Sequence, residues 1–152
     1  MWISVIGGSA PPEWALEAAY EVGRLIAQRG AILVCGGLGG VMESACRGAK
    51  SAGGVTVGIL PTSNRADANP FVDIAIPTGL GVARNLLVVR SGDAVIAVDG
   101  AWGTLSEIAL AKNIGRTVIG LGSFQLEGII PAQTPEEAVN LAFEHIQKAG
   151  GI

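Results

Sequence analysis

Residues Ala31-Ile32-Leu33-Val34-Cys35-Gly36-Gly37-Leu38-Gly39-Gly40-Val41-Met42 decide how the rest of the chain reads. An apolar, β-branched run over Ala31–Cys35 predicts a strand covered on both faces. Glycines at 36, 37, 39 and 40 then predict a turn, and helical spacing resumes from Val41 to about Ala52. Strand, glycine turn and helix follow one another again on both sides of this stretch. Upstream, Trp2–Ile6 runs into Gly7-Gly8-Ser9-Ala10 and then into a helix over Pro12–Arg29, with proline near its first turn and Gly30 at its end. Downstream, Ala94–Val98 runs into Asp99-Gly100-Ala101-Trp102-Gly103-Thr104 and a helix over Thr104–Ile114. Thr56–Leu60, Val72–Ile76 and Thr117–Leu121 complete the predicted strands, and Val82–Ser91 and Pro135–Lys148 the predicted helices. This alternation is the signature of βαβ units. The expected fold is α/β: a Rossmann-like, doubly wound, mostly parallel sheet of about six or seven strands with helices on both faces, forming one domain over residues 1–152.

Composition narrows the function. The chain carries ten basic and thirteen acidic residues, as many charges as glycines (23), at 49% hydrophobic content and net charge −3. Such a chain collapses, which excludes disorder. Its scattered cations argue against nucleic acid, which requires a basic face. Cys35 and Cys46 form no CxxC pair, and with His145 as the one histidine no metal-ligand spacing exists. No run is apolar enough for a membrane span. Met1-Trp2-Ile3-Ser4 opens on a strand pattern without a basic leader, and with two thiols the expectation is a cytoplasmic protein. Residues 62–70 form one long polar loop, read as a solvated connection or a binding edge. Gly150-Gly151 read as a fraying end.

In a doubly wound sheet, ligands lie beyond the carboxyl ends of the strands, where strand order reverses. The glycine bursts fall at those ends, and each opens a helix whose free N–H groups and positive dipole suit an anion. Gly8, Ser9, Gly36, Gly37, Gly39, Gly40, Gly100, Gly103 and Thr104 are therefore the candidate phosphate-binding residues. None of the bursts is a P-loop, since the lysine of GxxxxGK[ST] is absent. Arg84 begins an otherwise apolar helix predicted to be buried. A guanidinium there requires an anionic partner, either a ligand phosphate or Asp93 or Glu107 within the fold. Thr104-Leu105-Ser106-Glu107 has the T-x-x-E form of a capping box, so Glu107 reads as a cap or as a group facing a bound ribose. Glu43, three residues after Gly40, has the same two readings. Scarce charge and the apolar third helix predict a homo-oligomer.

These residues resemble a family. Cys35-Gly36-Gly37-Leu38-Gly39-Gly40-Val41-Met42 is similar to the GGGxxGLM segment of the Lonely Guy proteins, long mislabelled as lysine decarboxylases. Gly100-Ala101-Trp102-Gly103-Thr104-Leu105-Ser106-Glu107 resembles the end of their PGGxGTxxE motif, and Arg84 falls where they carry the arginine of an RK pair. The resemblance runs from about Ile3 to Leu121. It implies a phosphoribohydrolase that releases the base and ribose 5-phosphate from nucleoside 5′-monophosphates, with Arg84 and Glu107 as the catalytic pair. Cys35, Asp99, Ala101, Asn85 and Val82 depart from that pattern, where the family has glycine, proline, glycine, lysine and histidine. Losing the lysine and histidine removes phosphate-compensating charge and a proton-transfer group. The Ala83-Arg84-Asn85 variant instead resembles the branch containing the molybdenum cofactor carrier proteins, which are homo-oligomers that bind a phosphorylated pterin without turning it over. On that branch Asp99 would accept hydrogen bonds from a pterin or base N–H, as an alternative to being a solvated strand end. The expected function is binding of a phosphorylated small molecule, molybdenum cofactor or a nucleotide, without direct metal coordination by the protein. The alternative is the N-glycosidic hydrolase.

Overall fold

A computed structural model describes residues 1–150; Gly151 and Ile152 lie outside the described residues. Seven strands, β1 (Trp2–Gly7), β2 (Ile32–Cys35), β3 (Thr56–Leu60), β4 (Ile74–Pro77), β5 (Ala94–Val98), β6 (Val118–Leu121) and β7 (Ile130–Ala132), form one sheet. Its order is β4-β3-β2-β1-β5-β6-β7, and every pairing is parallel. The order reverses between β1 and β5, which pair from Ile3↔Ala94 to Gly7↔Val98. Five helices connect the strands: α1 (Glu13–Gln28), α2 (Val41–Ser51), α3 (Asn85–Ser91), α4 (Trp102–Asn113) and α5 (Pro135–Lys148). None of them is long and apolar enough to cross a membrane.

Strand alternation sorts the core into two layers. Ile3, Val5, Leu33, Cys35, Ile96, Val98 and Ile119 face α1, α2 and α5. Ile6, Val34, Val57, Ile59, Val95, Ala97 and Val118 face α3 and α4. On the first helix, Ala15, Ala19, Val22 and Ile26 are buried, while Glu13 and Glu17 stand in solvent on the opposite stripe. Ser4, in mid-strand, is polar and fully buried, and it is satisfied: its hydroxyl donates to the Val88 carbonyl of α3 (2.6 Å).

The structure departs from the sequence reading in four places. β4 starts at Ile74 rather than Val72, because Asn69 makes a side-chain turn there, its Oδ1 accepting the Phe71 N–H (3.0 Å). The third helix is short. Residues Gly81–Arg84 form a 3₁₀ turn and only Asn85–Ser91 are α-helical. Val82 is 85% exposed, so this element is not apolar and buried all round. Helix α4 begins two residues early, at Trp102. The unpredicted β7 is a three-residue edge strand containing Pro131, a position where proline is tolerated because no neighbour needs its missing N–H.

Candidate functional site

At the carboxyl ends of β1 and β5 a pocket of about 410 Å³ opens at the switch point. Of the predicted residues, Gly8, Ser9, Arg84, Gly103, Thr104 and Glu107 line it, together with Leu38, Met42, Pro61, Val82 and Asn85. Gly36, Gly37, Gly39, Gly40, Asp99 and Gly100 do not. Gly40 lies across Ser9, on a wider hollow of about 670 Å³ shared with Glu13, Glu17, Glu43 and Arg47 along the outer faces of α1 and α2.

The glycines divide into open and closed positions. A side chain on Gly8, Gly39 or Gly103 would meet nothing within 4 Å, so those backbones are bare to whatever enters. Gly40 is a closed position with φ +67°, and a Cβ there would collide with the Gly8 carbonyl and with Ser9 Cα (2.6 Å). That contact locks the first two glycine turns together, with the Val41 N–H donating to the Gly8 carbonyl (3.0 Å). Gly36 is closed by the site itself, since a Cβ would fall 2.7 Å from Arg84 Nη2 and 2.9 Å from Met42 Sδ. Asn69, from the loop over 62–70, pins the turn from outside. Its backbone N–H donates to the Gly37 carbonyl and its Nδ2 to the Leu38 carbonyl (both 2.9 Å). That residue of the loop is therefore a buried brace rather than a solvated connection.

Arg84 is 8% exposed. Its Nη1 donates to the neutral Oδ1 of Asn85, and its Nε has no acceptor. Asp93, one partner considered from sequence, is engaged elsewhere, accepting the Trp2 N–H (2.8 Å). Glu107, the other, acts on Arg84 through charge without an ion-pair contact among the described residues. Burial pulls the guanidinium below its ordinary pKa, with Glu107 and Cys35 opposing. Glu107 is 7% exposed. Burial pushes its carboxyl up to about 7, while Arg84 acts in the opposite direction.

Glu107 is not a helix cap. Because α4 starts at Trp102, Glu107 falls in the second turn. Thr104 takes the terminal role, its Oγ1 accepting the Ala101 N–H (3.4 Å). The first carbonyl-bonded amide of α4 is that of Leu105, to Ala101 (3.0 Å), so the amides before it have no helical acceptor. Asp99 is the one non-glycine residue with positive φ (+52°) among the described residues, and its N–H donates to the Leu121 carbonyl (3.0 Å). It turns the chain at the strand end, a conformation that aspartate tolerates better than most residues.

Asn85 is the functional candidate that sequence reasoning left out. It was visible only as the place of a missing lysine and as part of the Ala83-Arg84-Asn85 variant. In the fold it is buried, accepts from Arg84, and donates through Nδ2 to Ser106 Oγ (3.4 Å), which in turn donates to the Gly103 carbonyl (2.9 Å). The guanidinium is thus tied to the first turn of α4, so the cation and the helix end are held as one unit. Among the described residues no group of three His, Cys, Asp or Glu side chains is placed to hold a metal ion.

Known proteins share this fold. The chain is similar to the molybdenum cofactor binding protein of the phototrophic bacterium Rippkaea orientalis, with 41% identity, a TM-score of 0.87 and 95% of each chain covered. It is similar to the molybdenum cofactor carrier protein of Chlamydomonas reinhardtii, with 33% identity, a TM-score of 0.86, and 96% of this chain and 98% of that one covered. The cytokinin riboside 5′-monophosphate phosphoribohydrolase of Mycobacterium tuberculosis is 37% identical over 70% of this chain and 60% of that enzyme. The resemblance read from the glycine motifs and from Ala83-Arg84-Asn85 therefore holds. The sequence matches the SLOG cluster4 family over residues 1–149, and the chain belongs to that family.

Proposed function

We propose that this protein binds a phosphate-bearing cofactor or nucleotide and carries it without turnover, with the molybdenum cofactor as cargo. The observation that carries the reading is Arg84: a guanidinium nine-tenths buried, with an orphaned Nε and only a neutral side-chain acceptor, facing a pocket. A buried cation in that condition is completed by an anion from outside. The terminal amides of α4 add donors of the same sign. The residues fit such a cargo, because bare backbone at Gly8 and Gly103 admits phosphate oxygens. The pocket volume lies within the roughly 300–1,000 Å³ of small-molecule sites. Similarity to two proteins named for molybdenum cofactor binding supports the choice of cargo. A cytoplasmic homo-oligomer is part of the same proposal.

One observation favours the hydrolase as a second reading. Glu107, raised to about 7 and lining the same pocket, is able to hold or release a proton near neutrality. Beside a ribose it would stabilise an oxocarbenium-like transition state, with Arg84 orienting the phosphate.

One experiment separates the two. The purified protein is titrated with molybdenum cofactor and incubated with a panel of nucleoside 5′-monophosphates, while free base and ribose 5-phosphate are followed. The carrier reading expects saturable cofactor binding and no turnover. Arg84→Gln should weaken binding by about ten- to a hundred-fold, the worth of a charge-assisted contact. Release of free base that disappears in Glu107→Ala would overturn it in favour of the hydrolase.

A further inference from the structure

Behind the anion pocket lies a feature that neither function uses. The chain has two cysteines, and the fold brings them together. Cys35 ends β2, Cys46 sits in the middle of α2, and their Sγ atoms are 3.5 Å apart with both residues fully buried and reduced. The Gly37 N–H donates to Cys35 Sγ (3.3 Å). The neighbouring Cys46 sulfur, together with that amide and the Arg84 charge, holds Cys35 below the ordinary thiol pKa against the effect of burial. Contact with Cys35 and burial push Cys46 up. The two sulfurs therefore differ in the ease with which each loses its proton. Cys35 is covalently joined to Gly36, where Arg84 Nη2 and Met42 Sδ fill the space a Cβ would need, and both of those residues line the pocket.

We propose that Cys35 and Cys46 are an oxidation site, at which hydrogen peroxide converts the dithiol into an intramolecular disulfide that disturbs the anion pocket through Gly36 and Arg84. The Cys35 thiolate attacks one peroxide oxygen; the S–O bond forms, the O–O bond breaks, and the departing hydroxide takes a proton to become water. Cys46 sulfur then attacks the Cys35 sulfenic acid. The S–S bond forms, the S–O bond breaks, and the Cys46 proton leaves with the hydroxyl as a second water. Two thiols lose two electrons and one peroxide gains them. A disulfide requires the sulfurs at about 2.05 Å, so the end of β2 and α2 must close from their present separation. The Gly36–Gly37 turn between them moves, and the guanidinium resting on it moves too.

The test uses the reduced full chain, treated with equimolar hydrogen peroxide and weighed under denaturing, non-reducing conditions. The expected result is a mass loss of about 2 Da, no alkylatable thiol, and recovery of both thiols with reductant. Two free thiols after exposure, a gain of oxygen in place of that loss, or disulfide-linked dimers would each overturn the site. Cys46→Ser should leave Cys35 as a sulfenic acid trapped by dimedone. Cys46→Ala serves the same purpose where the serine variant fails to fold, with circular dichroism as the check. The coupling to the pocket rests on the function proposed above and is measured with ribose 5-phosphate as the probe. Oxidation should weaken its binding about tenfold, the equivalent of a displaced charge-assisted contact, and Cys46→Ser should lose that effect. Unchanged affinity in protein shown to carry the disulfide would overturn the coupling. If the reduced protein binds no ribose 5-phosphate, the proposed function fails, while the mass measurement still decides the oxidation site.

Discussion

Arg84 and Glu107 stand out in this sequence because charge is scarce in it, and a charge in an apolar stretch calls for an explanation. What the sequence concealed was their relation. Spacing offered Glu107 as a cap and as a partner for Arg84, and it is neither, because α4 begins at Trp102 and Asn85 occupies the guanidinium. Asn85 was illegible for a simple reason: its partner Ser106 lies 21 residues away, and no local pattern announces such a contact. Cys35 and Cys46, eleven apart, match no motif for the same reason. The pH dependence follows from Glu107. Its folded pKa of about 7 lies above the ordinary value of 4.5, so between those values the folded state binds more protons than the unfolded one. Stability contributed by protonated Glu107 is fully present below about 4.5 and is lost as pH rises to 7. The loss amounts to up to about 3 kcal/mol. Glu107→Gln should remove this component. Melting temperatures between pH 5 and 8 should then fall less steeply with pH than in the wild type, and an unchanged slope would assign the dependence to other groups.

At the level of elements, six of the seven strands and four of the five helices were legible to within about two residues, since apolar runs and 3.6-residue spacing survive in any tertiary context. β7 was not, because three residues containing a proline carry no periodic signal. The glycines were only partly legible. Turn glycines announce themselves in bursts, but Gly23 and Gly48 sit singly inside helical patterns and carry no such signal. In the structure each lies where α1 and α2 meet. A Cβ on Gly23 would run into the Ala45 carbonyl, and one on Gly48 into that of Tyr20. Both are buried, and the obstructing atoms are backbone, so a methyl group must push one helix off the other. Gly23→Ala should therefore destabilise the protein by about 1–3 kcal/mol, in the range of overpacking, despite alanine's better helix propensity of about 1 kcal/mol. Urea denaturation checks the sign, and a gain in stability would show that α1 and α2 slide apart freely.

For the whole molecule, the same shortage of charge that exposed Arg84 leaves large apolar side chains uncovered. Ile74 (51%) and Ile76 (44%) stand out from β4, which is an edge strand, and Leu80 (54%) and Val82 (85%) follow in the segment leading to α3. Val57 and Ile59, the partners of those isoleucines on β3, are buried, so the apolar surface of the sheet continues outward to the edge. Native edges are ordinarily protected by charges or cover, and neighbouring exposed apolar side chains are where an association surface is expected. The sequence pointed to self-association from a helix that proved short. The exposed strand edge is a better physical reason for the same expectation. The 15.4 kDa chain should therefore run as a multiple of its own mass in light scattering at micromolar concentration. Ile76→Lys places a charge on the apolar surface while leaving the core intact, so it should lower that mass without changing the circular dichroism spectrum. A wild-type protein that scatters as a monomer would refute self-association. An oligomer that Ile76→Lys leaves intact would move the contact to another face.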